Sequence, residues 1–174
     1  MMKRLLLGAL MVGGGSNAMA RMDNGMMMDN SNPHGKAAVQ TAVLTGELTS
    51  QQLIFEMIPM GREYLSYQVD RNAIAPLEKV TDETEILVVL ATWNQASQLQ
   101  VPRLMKILKI LDNPAFKADY IGVDKQGAYG DTPLMEGVQV LSLPTIIVKQ
   151  KGSEIGRIEG VTPQGLERAL AHLF

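Results

Sequence analysis

The chain has 174 residues, 46% of them hydrophobic and 20% charged, which is the composition of an ordinary globular domain able to bury a core without covalent staples. Its 16 basic and 18 acidic residues nearly cancel, so no electrostatic footprint for nucleic acid or an anionic membrane is present. Cysteine is absent, which excludes disulfides, thiolate metal sites, thiol catalysis and a lipid-modified N-terminal cysteine.

Residues 1–20 have the pattern of a signal peptide. Lys3 and Arg4 give a positive start, Leu5 to Val12 an apolar run, and Ala18-Met19-Ala20 the small-x-small pattern of a cleavage site. The apolar run falls well short of the roughly 20 residues a membrane-spanning helix needs. The expectation is an exported protein with no membrane span after cleavage, periplasmic if the host has two membranes. Residues 21–41 follow as a Met- and Asn-rich tail with turn formers and no periodic apolar face. Met22, Met26, Met27, Met28 and His34 there set thioethers and an imidazole close together in sequence, a donor set suited to Cu(I). Copper binding by this tail is one functional reading.

The domain is expected over 42–174, with a helical preface at 42–82 and a core at 83–174. Within the preface, Thr49 or Ser50 caps a helical pattern carrying Leu53, Ile54, Met57 and Ile58, which Pro59 and Gly61 are expected to end. A short helical stretch at Arg62 to Tyr67 brings Tyr64, Leu65 and Tyr67 together, the tyrosines packing with their hydroxyls in water. Asp70 caps a third pattern, in which Ile74, Leu77 and Val80 share a face.

The core opens with Glu85 to Ala91, a continuous apolar run of the kind a central parallel strand requires. Trp93 marks the turn that follows. A helix then carries Leu99, Val101, Leu104, Ile107, Leu108 and Leu111, with Pro102 inside it and a stop at Asp112-Asn113-Pro114. Tyr120 to Asp124 reads as a second parallel strand, since strand, helix and strand in that order imply one right-handed crossover. After a Gly-rich loop, Thr132 to Gly137 reads as a short helix. Thr145 to Lys149 and Glu154 to Glu159 form a hairpin around Lys151-Gly152, and Thr162 with Pro163 opens a last helix whose buried stripe is Leu166, Ala169, Leu170 and Leu173.

Asn94 falls where a helix N-cap belongs and Ser97 at the third helical position, so the Asn94 side chain is expected to accept the Ser97 N–H. Neither residue is a nucleophile at neutral pH. A carboxamide does not ionise, and the Ser97 hydroxyl has no partner base in a recognisable triad, the histidines being His34 and His172.

From Glu85 onward the chain resembles the thioredoxin-like family, through Trp93, Pro102, Leu143-Pro144-Thr145 and the Gly-turn hairpin in joint spacing. The resemblance implies an α/β, three-layer fold with a central mixed sheet flanked by helices, here preceded by a helical preface. It implies a cis Leu143–Pro144 bond beside the turn, and a partner-binding groove formed by Trp93, Gln95, Ala96, Leu143, Pro144 and Thr145. The family's redox cysteines are replaced by Asn94 and Ser97, and its buried acid by Val88. Thiol–disulfide exchange needs a thiolate, so oxidoreductase kinship would be by descent only and no catalytic residue or cofactor is expected. The leading expectation is a redox-inactive, monomeric protein that binds a polypeptide or partner protein as a chaperone or adaptor.

Overall fold

The computed structural model describes residues 42–174. The expected signal peptide and the tail with Met22, Met26, Met27, Met28 and His34 lie outside the described residues. A five-stranded mixed sheet organises the chain, in the order β1 (Gly46–Leu48), β3 (Phe116–Gly122), β2 (Thr84–Leu90), β4 (Thr145–Gln150), β5 (Ser153–Glu159). β2 is parallel to β3 and antiparallel to β4, and β5 returns antiparallel on β4. The turn between β4 and β5 holds Lys151 at φ 53° and Gly152 at φ 76°, the left-handed pair that matches the natural twist of a hairpin.

β2 is buried along nearly its whole length because both of its faces are covered, as its unbroken apolar sequence requires. Ile86, Val88 and Leu90 face one cluster; Leu87 and Val89 face another. The first cluster takes every α-helix of the described residues: α1 (Ser50–Phe55), α2 (Ile58–Ser66), α3 (Arg71–Ile74), α4 (Gln95–Leu111) and α5 (Leu166–Ala171) each contribute to it or pack against it. The second cluster has no α-helix. Residues 124–143, with a single 3-10 turn at Pro133–Met135, supply its outer layer through Tyr129, Leu134, Met135, Val138 and Val140. The fold is α/β and thioredoxin-like, with helices on one flank of the sheet and an anchored loop on the other.

The preface packs against the helical flank, where α2 lies along α4. Thr49 and Gln52 form a reciprocal capping box at α1. Pro59 does not end a helix as expected: it stands in the first turn of α2, where a missing N–H leaves nothing unpaired. Gly61 lies inside that helix rather than ending one, at a point where a Cβ would collide with the Ile54 carbonyl of α1. Asp70 caps α3 as read, accepting from the N–H groups of Asn72 (3.1 Å) and Ala73 (3.2 Å). At the end of α4, Asp112 turns left-handed at φ 49°, and the Asn113 carboxamide ties this corner to the Leu77 and Val80 carbonyls. Thr162 does not cap α5; Gly165 holds that position, and the Thr162 hydroxyl is buried without a partner among the described residues. No helix of the described residues is long and apolar enough to cross a membrane.

One network fastens the preface to the two core helices. The Tyr67 hydroxyl donates to Glu167 Oε1 at 2.7 Å, and the Asp70 N–H donates to the same oxygen at 3.2 Å. The Tyr67 hydroxyl is thus bonded to protein rather than left to water. Arg103 of α4 stacks on the Tyr67 ring at 4.6 Å and pairs with Glu63 at 2.7 Å. Burial and the Glu167 carboxylate push the Tyr67 hydroxyl well above its ordinary pKa, and burial does the same to Tyr120. In the unfolded chain both tyrosines lose their protons near pH 10, while the folded chain still holds them. Their contribution to stability is therefore complete below pH 10 and falls as the pH rises beyond it. The urea midpoint should drop between pH 9 and pH 11, and Tyr67→Phe should flatten that drop.

Candidate functional site: a thiol-free turn at the head of a helix

The turn joins β2 to α4. Asn94 is the N-cap of α4 in extended conformation, and its Oδ1 accepts the Ser97 N–H at 2.8 Å, as the sequence predicts. The Ser97 side chain is fully buried, and its Oγ accepts the Ala91 N–H at 3.2 Å. That hydroxyl closes the turn back on the end of β2. The Gln98 carboxamide adds a 2.7 Å bond to the Thr92 carbonyl. Asn94 and Ser97 thus both hold backbone together at this turn. Asn94→Ala should cost about 1 kcal/mol, the usual worth of a side-chain cap, seen as a lower urea midpoint with an unchanged slope.

Thr92, immediately before Trp93, is also fully buried. Its Oγ1 donates to the Ala42 carbonyl at 2.6 Å and accepts the Leu44 N–H at 3.1 Å. A single hydroxyl therefore holds the segment leading into β1 against the turn, as a rung of a sheet would. Sequence reasoning missed this residue and β1 itself. A three-residue strand has no readable period, and a lone Thr carries no motif.

Trp93 is half-buried in the loop-side cluster, together with Leu143, Val140, Val138 and Tyr129. Its indole N–H is buried and has no partner among the described residues. The Leu143–Pro144 peptide bond is cis. Pro144 is buried, and its carbonyl accepts the Gly160 N–H at 2.8 Å. Thr145 is 0% exposed, with its hydroxyl donating 2.6 Å to the Ser142 carbonyl. Pro144 and Thr145 are therefore buried rather than exposed as the sequence reading expected of the groove. β4 runs between β2 and β5, and the packed clusters on the two sides of the sheet cover its faces, Ile146 on one and Ile147 on the other.

Of the rest of the expected site, Gln95 is exposed and Trp93, Ala96 and Leu143 are half-buried; Gln95 and Ala96 line one hollow and Leu143 another, while Trp93 lines neither. The first, of about 350 Å³, is also lined by Leu99 of α4, Pro59 and Glu63 of α2, and Val161. The second, of about 340 Å³, is also lined by Val123, Tyr129, Met135, Val138 and Val140. Pro59 and Val161 were not anticipated, because their place in the site depends on how the preface and the chain after β5 pack. Val161, in the lining of the first hollow, is 54% exposed, and Ile58, next to Pro59 in the chain, is 58% exposed. Among the described residues no group of His, Asp and Glu is arranged to hold a metal ion.

Fold and turn together describe a thioredoxin-like domain whose helix head is capped rather than reactive. No family model matches the sequence, and no curated protein does. Among solved structures, an HIV epitope scaffold is similar at a TM-score of 0.50 and 15% identity, over 75% of this chain and 83% of that one. A protein of unknown function from Pseudomonas aeruginosa aligns at a TM-score of 0.47 and 17% identity, over 66% of this chain and 70% of its own. Mitochondrial thioredoxin 3 from Saccharomyces cerevisiae, in its oxidized form, aligns at 0.39 and 20%, over 63% of this chain and 98% of its own. At these identities the likeness concerns the fold alone.

Proposed function

We propose that this protein is a redox-inactive, exported thioredoxin-fold protein that holds apolar segments of a polypeptide or partner protein at the turn between β2 and α4. The hollow bounded by Gln95, Ala96, Leu99, Pro59 and Val161 is the observation that carries this reading. It lies at the head of α4, has walls from three parts of the chain, and includes the exposed apolar side chain of Val161. An apolar side chain entering it is removed from water, at about 25 cal/mol per Å² buried. Thiol–disulfide exchange is not part of the function, because the chain contains no cysteine to supply the thiolate.

The test is suppression of aggregation of a heat-denatured client protein, with insulin reduction measured alongside. The wild-type protein should suppress aggregation and leave insulin oxidised. Ala96→Arg and Val161→Arg, which place a charge in or beside the hollow, should each weaken suppression several-fold, while Lys151→Glu on the far hairpin should not. Equal activity in all the variants, or turnover of insulin, would overturn the proposal.

A further inference from the structure

We infer that the loop-covered face of the sheet carries a binding site for a neutral, mostly apolar small molecule with one hydrogen-bonding end. The site is the second hollow, and it stands independently of the polypeptide-binding reading. Its volume of about 340 Å³ sits at the lower end of the range for small-molecule sites, room for a ligand of roughly ten to fifteen heavy atoms.

The hollow is anchored rather than a gap under a loose strand. Asp124 Oδ1 accepts the N–H groups of Gln126 (2.8 Å) and Ala128 (2.7 Å), which sets the loop's first turn. The Arg157 guanidinium donates to the Gln139 carbonyl at 2.9 Å while held in a two-point pair with Glu154, and Thr145 holds the Ser142 carbonyl. These bonds fix the loop at both ends of the hollow. Between them the side chains of Tyr129, Met135, Val138, Val140 and Leu143 turn toward the sheet and join its buried cluster.

The lining decides the class of ligand. No Asp, Glu, Lys, Arg or His is among its residues, so an ion entering would lose its hydration without gaining a counter-charge. A neutral molecule has no such penalty. The polar side chains of the lining are the hydroxyls of Tyr129 and Ser142, enough to orient one polar end of the ligand. Trp93, packed in the same cluster, provides an intrinsic fluorescent reporter.

The probe is 1-naphthol at pH 6, where it is neutral, titrated into the full-length protein and followed by quenching of Trp93 and by ligand-observed NMR. Its charged relative 1-naphthoate and the purely apolar naphthalene serve as the other arms. Saturable one-to-one binding of 1-naphthol is expected, with 1-naphthoate at least tenfold weaker. Val140→Phe, which fills the hollow, should weaken 1-naphthol at least tenfold. Tyr129→Phe, which keeps the shape and removes a hydroxyl, should weaken 1-naphthol several-fold and leave naphthalene unchanged. Ala96→Arg in the other hollow should change neither. Absence of saturable binding, equal binding of naphthoate, indifference to both Val140→Phe and Tyr129→Phe, or loss on Ala96→Arg would each overturn the inference.

Discussion

Gly122→Val should detach the first strand from the sheet and lower stability by about 3 kcal/mol or more, in the range of severe single substitutions. β1 crosses β3 so closely at this point that a Cβ on Gly122 would overlap the Leu44 carbonyl and sit 2.7 Å from Leu48 Cδ1. The carbonyl belongs to backbone and cannot swing aside. Relief requires the segment from Ala42 to Leu48 to lift, which breaks its pairing with Tyr120, Ile121 and Gly122 and its bonds to Thr92. Amide exchange at Leu44 and Glu47 should accelerate far more than at Val88 or Ile146. Thr92→Val separates the two effects: it removes only the hydroxyl, and a loss of about 1–2 kcal/mol is expected for two part-buried bonds. A Gly122→Val protein with the stability and exchange pattern of wild type would refute this account of β1.

Glu167→Ala should be the second large effect, about 2–4 kcal/mol, because it strips the acceptor from two donors at a part-buried corner. Glu167 itself is 6% exposed, an unusual burial for a carboxylate, and Tyr67 and Asp70 both point their protons at it. Its loss frees Tyr67, loosens the stack with Arg103 and lets the preface helices move on α4. Since α2 forms a wall of the hollow beside Gln95, binding at that hollow should weaken in proportion. Glu167→Gln keeps an acceptor oxygen and should recover much of the loss. Chemical denaturation measures the first part, and the client-aggregation assay the second.

The elements most legible in the sequence were those with a strong pattern. The apolar run of β2, the helical period of α4 and the Lys151-Gly152 turn appear where they were read. The capping of α4 by Asn94 also followed from residue chemistry alone. The sequence misled where a residue has two structural uses. Pro59 serves equally as a stop and as a first-turn residue, and only packing decides. β3 begins at Phe116, earlier than expected, because exposed Lys117 and Asp119 alternate with half-buried neighbours and mask the strand. Thr145 was expected at the surface by its neighbourhood to Pro144, yet it is fully buried with its hydroxyl turned back on the Ser142 carbonyl. Polar side chains acting as backbone partners, such as Thr92 and Glu167, leave no trace in sequence spacing.

The unequal flanks of the sheet imply unequal lifetimes of its closed state. On the helical flank, opening any one element exposes apolar surface shared with several others, so those amides should exchange only through global unfolding. On the other flank, residues 124–143 contribute few hydrogen bonds within regular elements, and the left-handed glycines at 127, 130 and 137 meet nothing within 4 Å of where a Cβ would be. That segment should open as a cooperative unit of its own, well below the free energy of global unfolding. Each such excursion would bare Leu87, Val89 and Ile147 while the helices remain in place. The protein would then present, for brief intervals, a second sticky sheet face that its resting state conceals.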